Sequence, residues 1–162
     1  MIKIITVTEY NKAVADRIRQ LLIQLSRSGK DKGEIPQEWF EQLISSPWHD
    51  CLLAVDLAED SNTKQDLLIL PEQILGMASV SVIFGAGIGK NAYLEDFVVD
   101  QSARGKGVGH LLFQAYENWA REKGCKNLEF TCGQGREAAQ QFYRDHGAAK
   151  YDTNFFRKKL DD

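Results

Sequence analysis

Residues 94–112 read LEDFVVDQSARGKGVGHLL. The run AYLEDFVVD that leads into this stretch reads as a β-strand. Beyond it, Val108, Leu111, Leu112, Ala115 and Trp119 recur at helical spacing on a long helix that ends near Gly124. The alternating glycines Gly105, Gly107 and Gly109 therefore lie between the end of a strand and the start of a helix. There the first helical amides have no partner and the helix dipole favours an anion. Bare Cα atoms let those amides approach a ligand closely. The charges point the same way. Arg104, Lys106 and His110 crowd a helix start, where each cation opposes the dipole by roughly 0.3–1 kcal/mol, and no acid appears in the helix before Glu117. A bound phosphate resolves this arrangement; a flexible glycine turn with solvated basic side chains is the plainer alternative.

A second glycine stretch, GAGIGK at residues 85–90, invites the same reading and fails on context. A phosphate loop needs GxxxxGK followed by Ser or Thr and a helix, whereas this segment is one residue short, precedes Asn91 and leads into a strand. A tight turn between two strands explains it.

Outward from this centre, IKIITV is a first strand, and Val14, Ile18, Leu21, Leu22 and Leu25 give a first amphipathic helix within residues 8–26. Pro36 suits the first turn of a second helix with Trp39, Phe40, Leu43 and Ile44 on its apolar face. CLLAVDL and ILGMASVSVIF are two meander strands joined by a long polar connection over residues 57–73, and CKNLEFTC is a fifth strand. REAAQQFYRDH is a helix stopped by Gly147, and AAKY and NFFRKKL read as two closing strands. No linker divides the chain, so one α/β domain over residues 1–162 is expected.

Composition narrows the function. A hydrophobic content of 43% and a charged content of 27% are those of a globular protein, and no apolar run approaches the ~20 residues that cross a bilayer. MIKIITVTEYNK shows no secretory signal, so a cytoplasmic location with no membrane partner is expected. A net charge of −3 leaves no basic footprint for nucleic acid. Three cysteines without CxxC spacing and three scattered histidines predict neither a disulfide framework nor a metal site.

The order R-x-x-G-x-G after YLEDFVVD and before the helix GHLLFQAYENWAREKGC resembles the acetyl-CoA-binding motif of the GCN5-related N-acetyltransferase (GNAT) superfamily. The helix ending in AAQQFYRDHG is similar to that superfamily's second motif. The resemblance implies a mixed α/β (α+β) fold, with a mostly antiparallel sheet of six to seven strands flanked by about four helices. It also implies acetyl-CoA as co-substrate and a small-molecule amine as acceptor, with a protein amino group or a non-catalytic acyl-CoA-binding role as alternatives; a homodimer is compatible with it. Residue by residue, the main chain of Phe97, Val98 and Val99 would meet the pantetheine arm and acetyl carbonyl. The amides of Arg104, Gly105, Lys106, Gly107, Val108 and Gly109 would hold the pyrophosphate. Tyr143 would face the thioester sulfur, and Glu95 would lie near the incoming amine. Arg136 stands where many relatives carry an asparagine, seven residues before the tyrosine, and is the coenzyme-binding candidate of that helix.

The chemistry adds its own demands. An alkylamine with pKa near 10.4 is unprotonated in about one molecule in 2,000 at neutral pH, so a base must remove its proton. Glu95 is the first candidate and Asp96 competes. Side chains alternate on a strand, so only one of the two faces the cleft unless a bulge intervenes. Tyr143 would protonate the departing thiolate. Cys132 reads as a small buried hydrophobe rather than a nucleophile. Asp31 and Glu34, in the region that shapes the acceptor site in this family, could attract a cationic amine, although Lys30 and Lys32 sit beside them.

Overall fold

A computed structural model describes residues 1–26, 28–57 and 69–160. These form two compact units, Met1–Phe130 and Thr131–Asp162. The first unit begins with β1 (Ile2–Thr6), α1 (Lys12–Leu25) and α2 (Gln37–Ser45). It continues through β2 (His49–Asp56), β3 (Ile74–Gly85), β4 (Gly89–Val99), α3 (Val108–Glu122) and β5 (Asn127–Phe130).

The described strands form one sheet in the order β1-β2-β3-β4-β5. Its first three pairings are antiparallel and β4–β5 is parallel. The sheet is thus mixed and mostly antiparallel, but five-stranded rather than six- to seven-stranded among the described residues. GAGIGK is a hairpin turn, with Gly85 pairing Gly89 across it. The long connection falls largely on residues 58–68, outside the described residues.

Helices cover both faces of the sheet because strand alternation makes both faces apolar. On one face Val14, Ile18 and Leu21 of α1 and Phe40 of α2 join Cys51, Leu53, Val55, Met77 and Val98 in a buried cluster. α1 starts where Asn11 accepts from the Val14 amide at 3.1 Å, a side-chain N-cap. On the other face α3 buries Val108, Leu112, Phe113, Tyr116 and Trp119. Its inward stripe is centred on Leu112, Phe113 and Tyr116; Leu111 and Ala115, expected there, are half-buried at its margin. Gly76 permits the close approach of β3, β4 and α3. A Cβ there would lie 2.7 Å from the Val98 carbonyl oxygen and 3.0 Å from Leu112 Cδ1.

The second unit contains α4 (Glu137–Asp145). Gly147, at φ 81°, ends it, and the Ala148 amide donates back to the Tyr143 carbonyl at 3.0 Å. The two closing strands expected over AAKY and NFFRKKL are absent among the described residues, which show no regular element over 148–160. Locally, the Thr153 amide turns back onto the Tyr151 carbonyl at 3.1 Å. The β-prone residues there have no partner ladder among the described residues, and propensity alone does not make a strand. Tyr151, Phe155, Phe156 and Leu160 are all exposed.

Candidate active site

The register of β3 against β4 decides how the two acids are presented. Val80 pairs with Leu94 and Ser79 with Asp96, so Glu95 is an extra residue, a bulge in β4. Leu94 and Phe97 both face α3; Leu94 is buried and the Phe97 ring meets Phe113 edge-on at 6.2 Å. Glu95 and Asp96 both turn to the side of α1 and α2. Glu95 is exposed and accepts a hydrogen bond from the Ser81 hydroxyl at 3.1 Å. Asp96 shares a cavity wall with Ser79, two residues before Ser81 on the same face of β3. The alternative of one acid in and one acid out is therefore replaced by two neighbouring carboxylates on one side.

Burial raises the Asp96 carboxyl above the usual carboxylate range, and the charge of Glu95 raises it further. His49 and Ser79 complete this polar end. His49 Nδ1 lies 3.2 Å from the Leu43 carbonyl oxygen, and its Nε2 lies 2.9 Å from Ser79 Oγ. A carbonyl oxygen only accepts, so Nδ1 carries the proton and Nε2 accepts from the serine hydroxyl. Burial pushes the His49 pKa down, which keeps the imidazole neutral. None of His49, Ser79 and Ser81 stood out in the sequence. The available signal was the pair of serines two apart in ASVSVIF, a polar stripe on one face of an otherwise apolar strand.

The parallel register of β4 with β5 runs from Asn91 opposite Asn127 to Leu94 opposite Phe130 and goes no further. From Glu95 onward β4 has no β5 partner. Of the main-chain candidates on this stretch, the Val98 side chain belongs to the buried cluster beneath α1. The Val99 carbonyl accepts from Arg104 Nε at 3.3 Å.

The β4–α3 connection has the form expected at residues 104–109. Gly107 is the N-cap of α3 at φ 79°, ψ −1°, no side chain caps the helix and its first turn carries no acid. Gly105 is also left-handed, at φ 75°. A Cβ at Gly105 or Gly107 would meet nothing within 4 Å, so these glycines serve backbone conformation and not packing. Val108 is buried, which fixes the helix start against the sheet, and Gly109 lies in the first helical turn. Arg104 and Lys106 are exposed.

This loop is anchored by a residue that nothing in the apolar and glycine pattern of the sequence singles out. Asp100, at the end of β4, accepts from the Ser102 amide at 2.8 Å and the Ser102 hydroxyl at 2.6 Å. Its other oxygen accepts from Arg17 at 2.7 Å and Gln24 at 3.1 Å, while Gln24 Oε1 takes the Gln101 amide at 3.0 Å. The Ser102 hydrogen bonds, with the Arg17 guanidinium, hold the Asp100 carboxyl well below the usual carboxylate range. The local signal was Asp-x-Ser directly after a strand, an Asx turn.

In the second unit, Arg136 is the N-cap of α4 and its amide donates to the Gly133 carbonyl at 3.0 Å. Tyr143 is half-buried on the same helix, with its ring edge-on to Phe142 at 5.6 Å. Burial pushes its hydroxyl up to about 12, Cys132 adding to the rise and Arg136 opposing it.

Asp31 and Glu34 each have a basic partner on the surface. Arg19 binds Asp31 and Lys12 binds Glu34, along a charged surface crevice of about 440 Å³. Among the described residues no group of three or more His, Cys, Asp or Glu could hold a metal ion. No helix there is long and apolar enough to cross a membrane.

Residues 32–148 match the Acetyltransferase (GNAT) family. The chain belongs to that family. The match spans both motifs, from before α2 to the turn after α4. Over 72 residues the chain is 30% identical to an uncharacterized N-acetyltransferase, YhdJ, of Bacillus subtilis, covering 44% of this chain and 51% of that protein. Over 103 residues it is 25% identical to thialysine N-epsilon-acetyltransferase of Bos taurus, covering 64% of this chain and 57% of the relative. The chain thus spans about half the length of the curated relatives it matches. In fold it is similar to an aminoglycoside acetyltransferase from an uncultured soil metagenomic sample, crystallised with trehalose. That likeness has a TM-score of 0.77 at 20% identity and covers 99% of this chain and 97% of the other. Glucosamine-6-phosphate N-acetyltransferase of Arabidopsis thaliana shares the fold at a TM-score of 0.71 and 20% identity, with 98% of each chain covered.

Proposed function

We propose that this GNAT protein transfers the acetyl group of acetyl-CoA directly to a primary amine on a small molecule. Both units would form one acetyltransferase domain. The observation that carries this reading is the β4–α3 arrangement: an uncapped, acid-free helix start with left-handed glycines, directly after a strand whose bulge turns two acids to one side. The amides of residues 104–109 bind the pyrophosphate at the positive end of α3. Phe97, Val98 and Val99 offer main-chain groups where β4 has left β5.

Glu95 takes the amine proton, which frees the nitrogen lone pair to attack the thioester carbonyl carbon. A positioned base is worth about 10² to 10⁴ in rate. The C–N bond forms and the C–S bond breaks, with main-chain amide near Val98 stabilising charge on oxygen. Tyr143 supplies a proton to the leaving thiolate. Arg136 adds a positive charge for the coenzyme. No covalent acyl-enzyme is required.

Release of free CoA thiol from acetyl-CoA, measured with a panel of primary amines, tests the reading. Amine-dependent release is expected. Acetyl-CoA binding without any amine-dependent release would reduce the protein to an acyl-CoA-binding module.

A further inference from the structure

Between α1, α2 and the sheet lies a cavity of about 80 Å³ that ends on Asp96. Its walls are Ile18 and Leu22 of α1, Ile35, Trp39, Phe40, Leu43 and Ile44 at α2, and Met77 and Cys51 of the sheet. Three polar residues reach it: His49, Ser79 and Asp96. The first two are already engaged. His49 is held between the Leu43 carbonyl and the Ser79 hydroxyl, so the serine proton is also spent. Cys51 is buried, with its thiol pushed up to about 12, and acts here as a small apolar wall. Asp96 differs. Among the described residues no hydrogen bond reaches its carboxylate, although it is half-buried.

From this geometry we infer that the acceptor is a primary amine borne on a compact apolar body, alkyl or aryl, whose nitrogen end meets Asp96 and Glu95 while its body enters the cavity. The inference rests on the acetyltransferase reading and deepens it. A polyhydroxylated amine would bring several hydroxyls against largely apolar walls, where nothing is left to donate and only Asp96 and Ser79 Oγ can still accept. Each hydroxyl so buried costs about 1–3 kcal/mol in general. An apolar body gains by leaving water, and its nitrogen offers a hydrogen-bond partner to the Asp96 carboxyl, which no hydrogen bond reaches among the described residues. Trp39, 56% exposed at the rim, covers the outer end of such a body.

The test compares n-alkylamines from propylamine to hexylamine, 2-phenylethylamine, spermidine and glucosamine, using the full chain with saturating acetyl-CoA. CoA release gives kcat/KM, and calorimetry gives amine affinity independently of turnover. A rise in kcat/KM of about fourfold per methylene along the alkyl series is expected. The apolar amines should lead glucosamine by tenfold or more. Trp39→Ala, at an exposed position, should raise KM for 2-phenylethylamine at least threefold while acetyl-CoA affinity holds. Turnover that favours spermidine or glucosamine, or is flat along the series, overturns the inference and leaves acetyl transfer standing. Tight binding of apolar amines with no turnover of any amine sinks the transferase reading and keeps the apolar site. Neither binding nor turnover overturns both.

Discussion

Ser81 donates its hydroxyl to Glu95 at 3.1 Å from the neighbouring strand, and this bond holds the bulged residue of β4 on the same side of the sheet as Asp96. Two carboxylates side by side raise each other's proton affinity in general. Here Asp96, the more buried of the two, carries the upward shift. The pair is thus asymmetric in its surroundings: Glu95 is exposed, and Asp96 is half-buried beside the apolar cavity.

Replacing Glu95 with Gln preserves an acceptor for the Ser81 hydroxyl and removes the proposed base. The turnover number should fall at least a hundredfold, with acetyl-CoA affinity within twofold of the parent. Asp96→Asn is the paired variant. It leaves Glu95 in place, so amine-dependent turnover and its pH profile should survive if Glu95 is the base. A normal profile in Glu95→Gln with a flattened one in Asp96→Asn would transfer the role to Asp96.

Gly107→Val tests the phosphate loop. The new side chain meets no protein atom within 4 Å, but it forces a β-branched residue to φ near 79° and covers the amides proposed to hold the pyrophosphate. CoA affinity should weaken tenfold or more, about 1.4 kcal/mol, by calorimetry. Gly89→Val imposes comparable strain at φ 70°, also with open space around it, in the β3–β4 hairpin. Unchanged CoA affinity there, with a loss at Gly107, separates ligand obstruction from backbone strain; equal losses would sink the loop assignment.

Asp100 supports that loop from below. Asp100→Asn leaves Arg17 without its carboxylate partner in a site where both side chains are mostly covered, at 14% and 11% exposure. A loss of about 3 kcal/mol in urea unfolding at pH 7 is expected. The pH dependence has a definite sign. The folded-state carboxyl is depressed, so its contribution is fully present above the unfolded value near 3.9 and is lost as pH falls below it. Parent and variant should therefore draw together progressively as pH falls below about 4, toward the depressed folded-state value. A difference in stability that stays constant over that window would show that the ion pair contributes nothing.

Much of this architecture is legible in the sequence, for physical reasons. The helix from Val108 announces itself by apolar spacing and by glycines that only a left-handed cap requires, and the Gly85–Gly89 turn by its strand context. The bulge at Glu95 is not legible: nothing in YLEDFVVD marks which residue is extra, because a bulge is set by the partner strand's register. Asp96's cavity was hidden for a related reason, since Phe40, Leu43 and His49 reach it only after α2 is laid across β2. The two expected closing strands are absent among the described residues despite their β-prone sequence. Tyr151, Phe155 and Phe156 have the propensity, but a strand exists only with a partner ladder.

Tyr143 carries the last test. Its hydroxyl, pushed up to about 12 by burial, stays protonated across neutral and mildly alkaline pH. It can therefore donate to a departing thiolate over that whole range, and an alkaline fall in rate below about pH 10 must come from another group. Tyr143→Phe removes one oxygen and keeps the ring that meets Phe142, so the folded variant should retain acetyl-CoA affinity. Single-turnover CoA release should slow by about 10² or more, because the proton is needed only as sulfur leaves. Release at the parent's rate under those conditions would assign the ring to packing alone, with water or the ammonium product as the proton source.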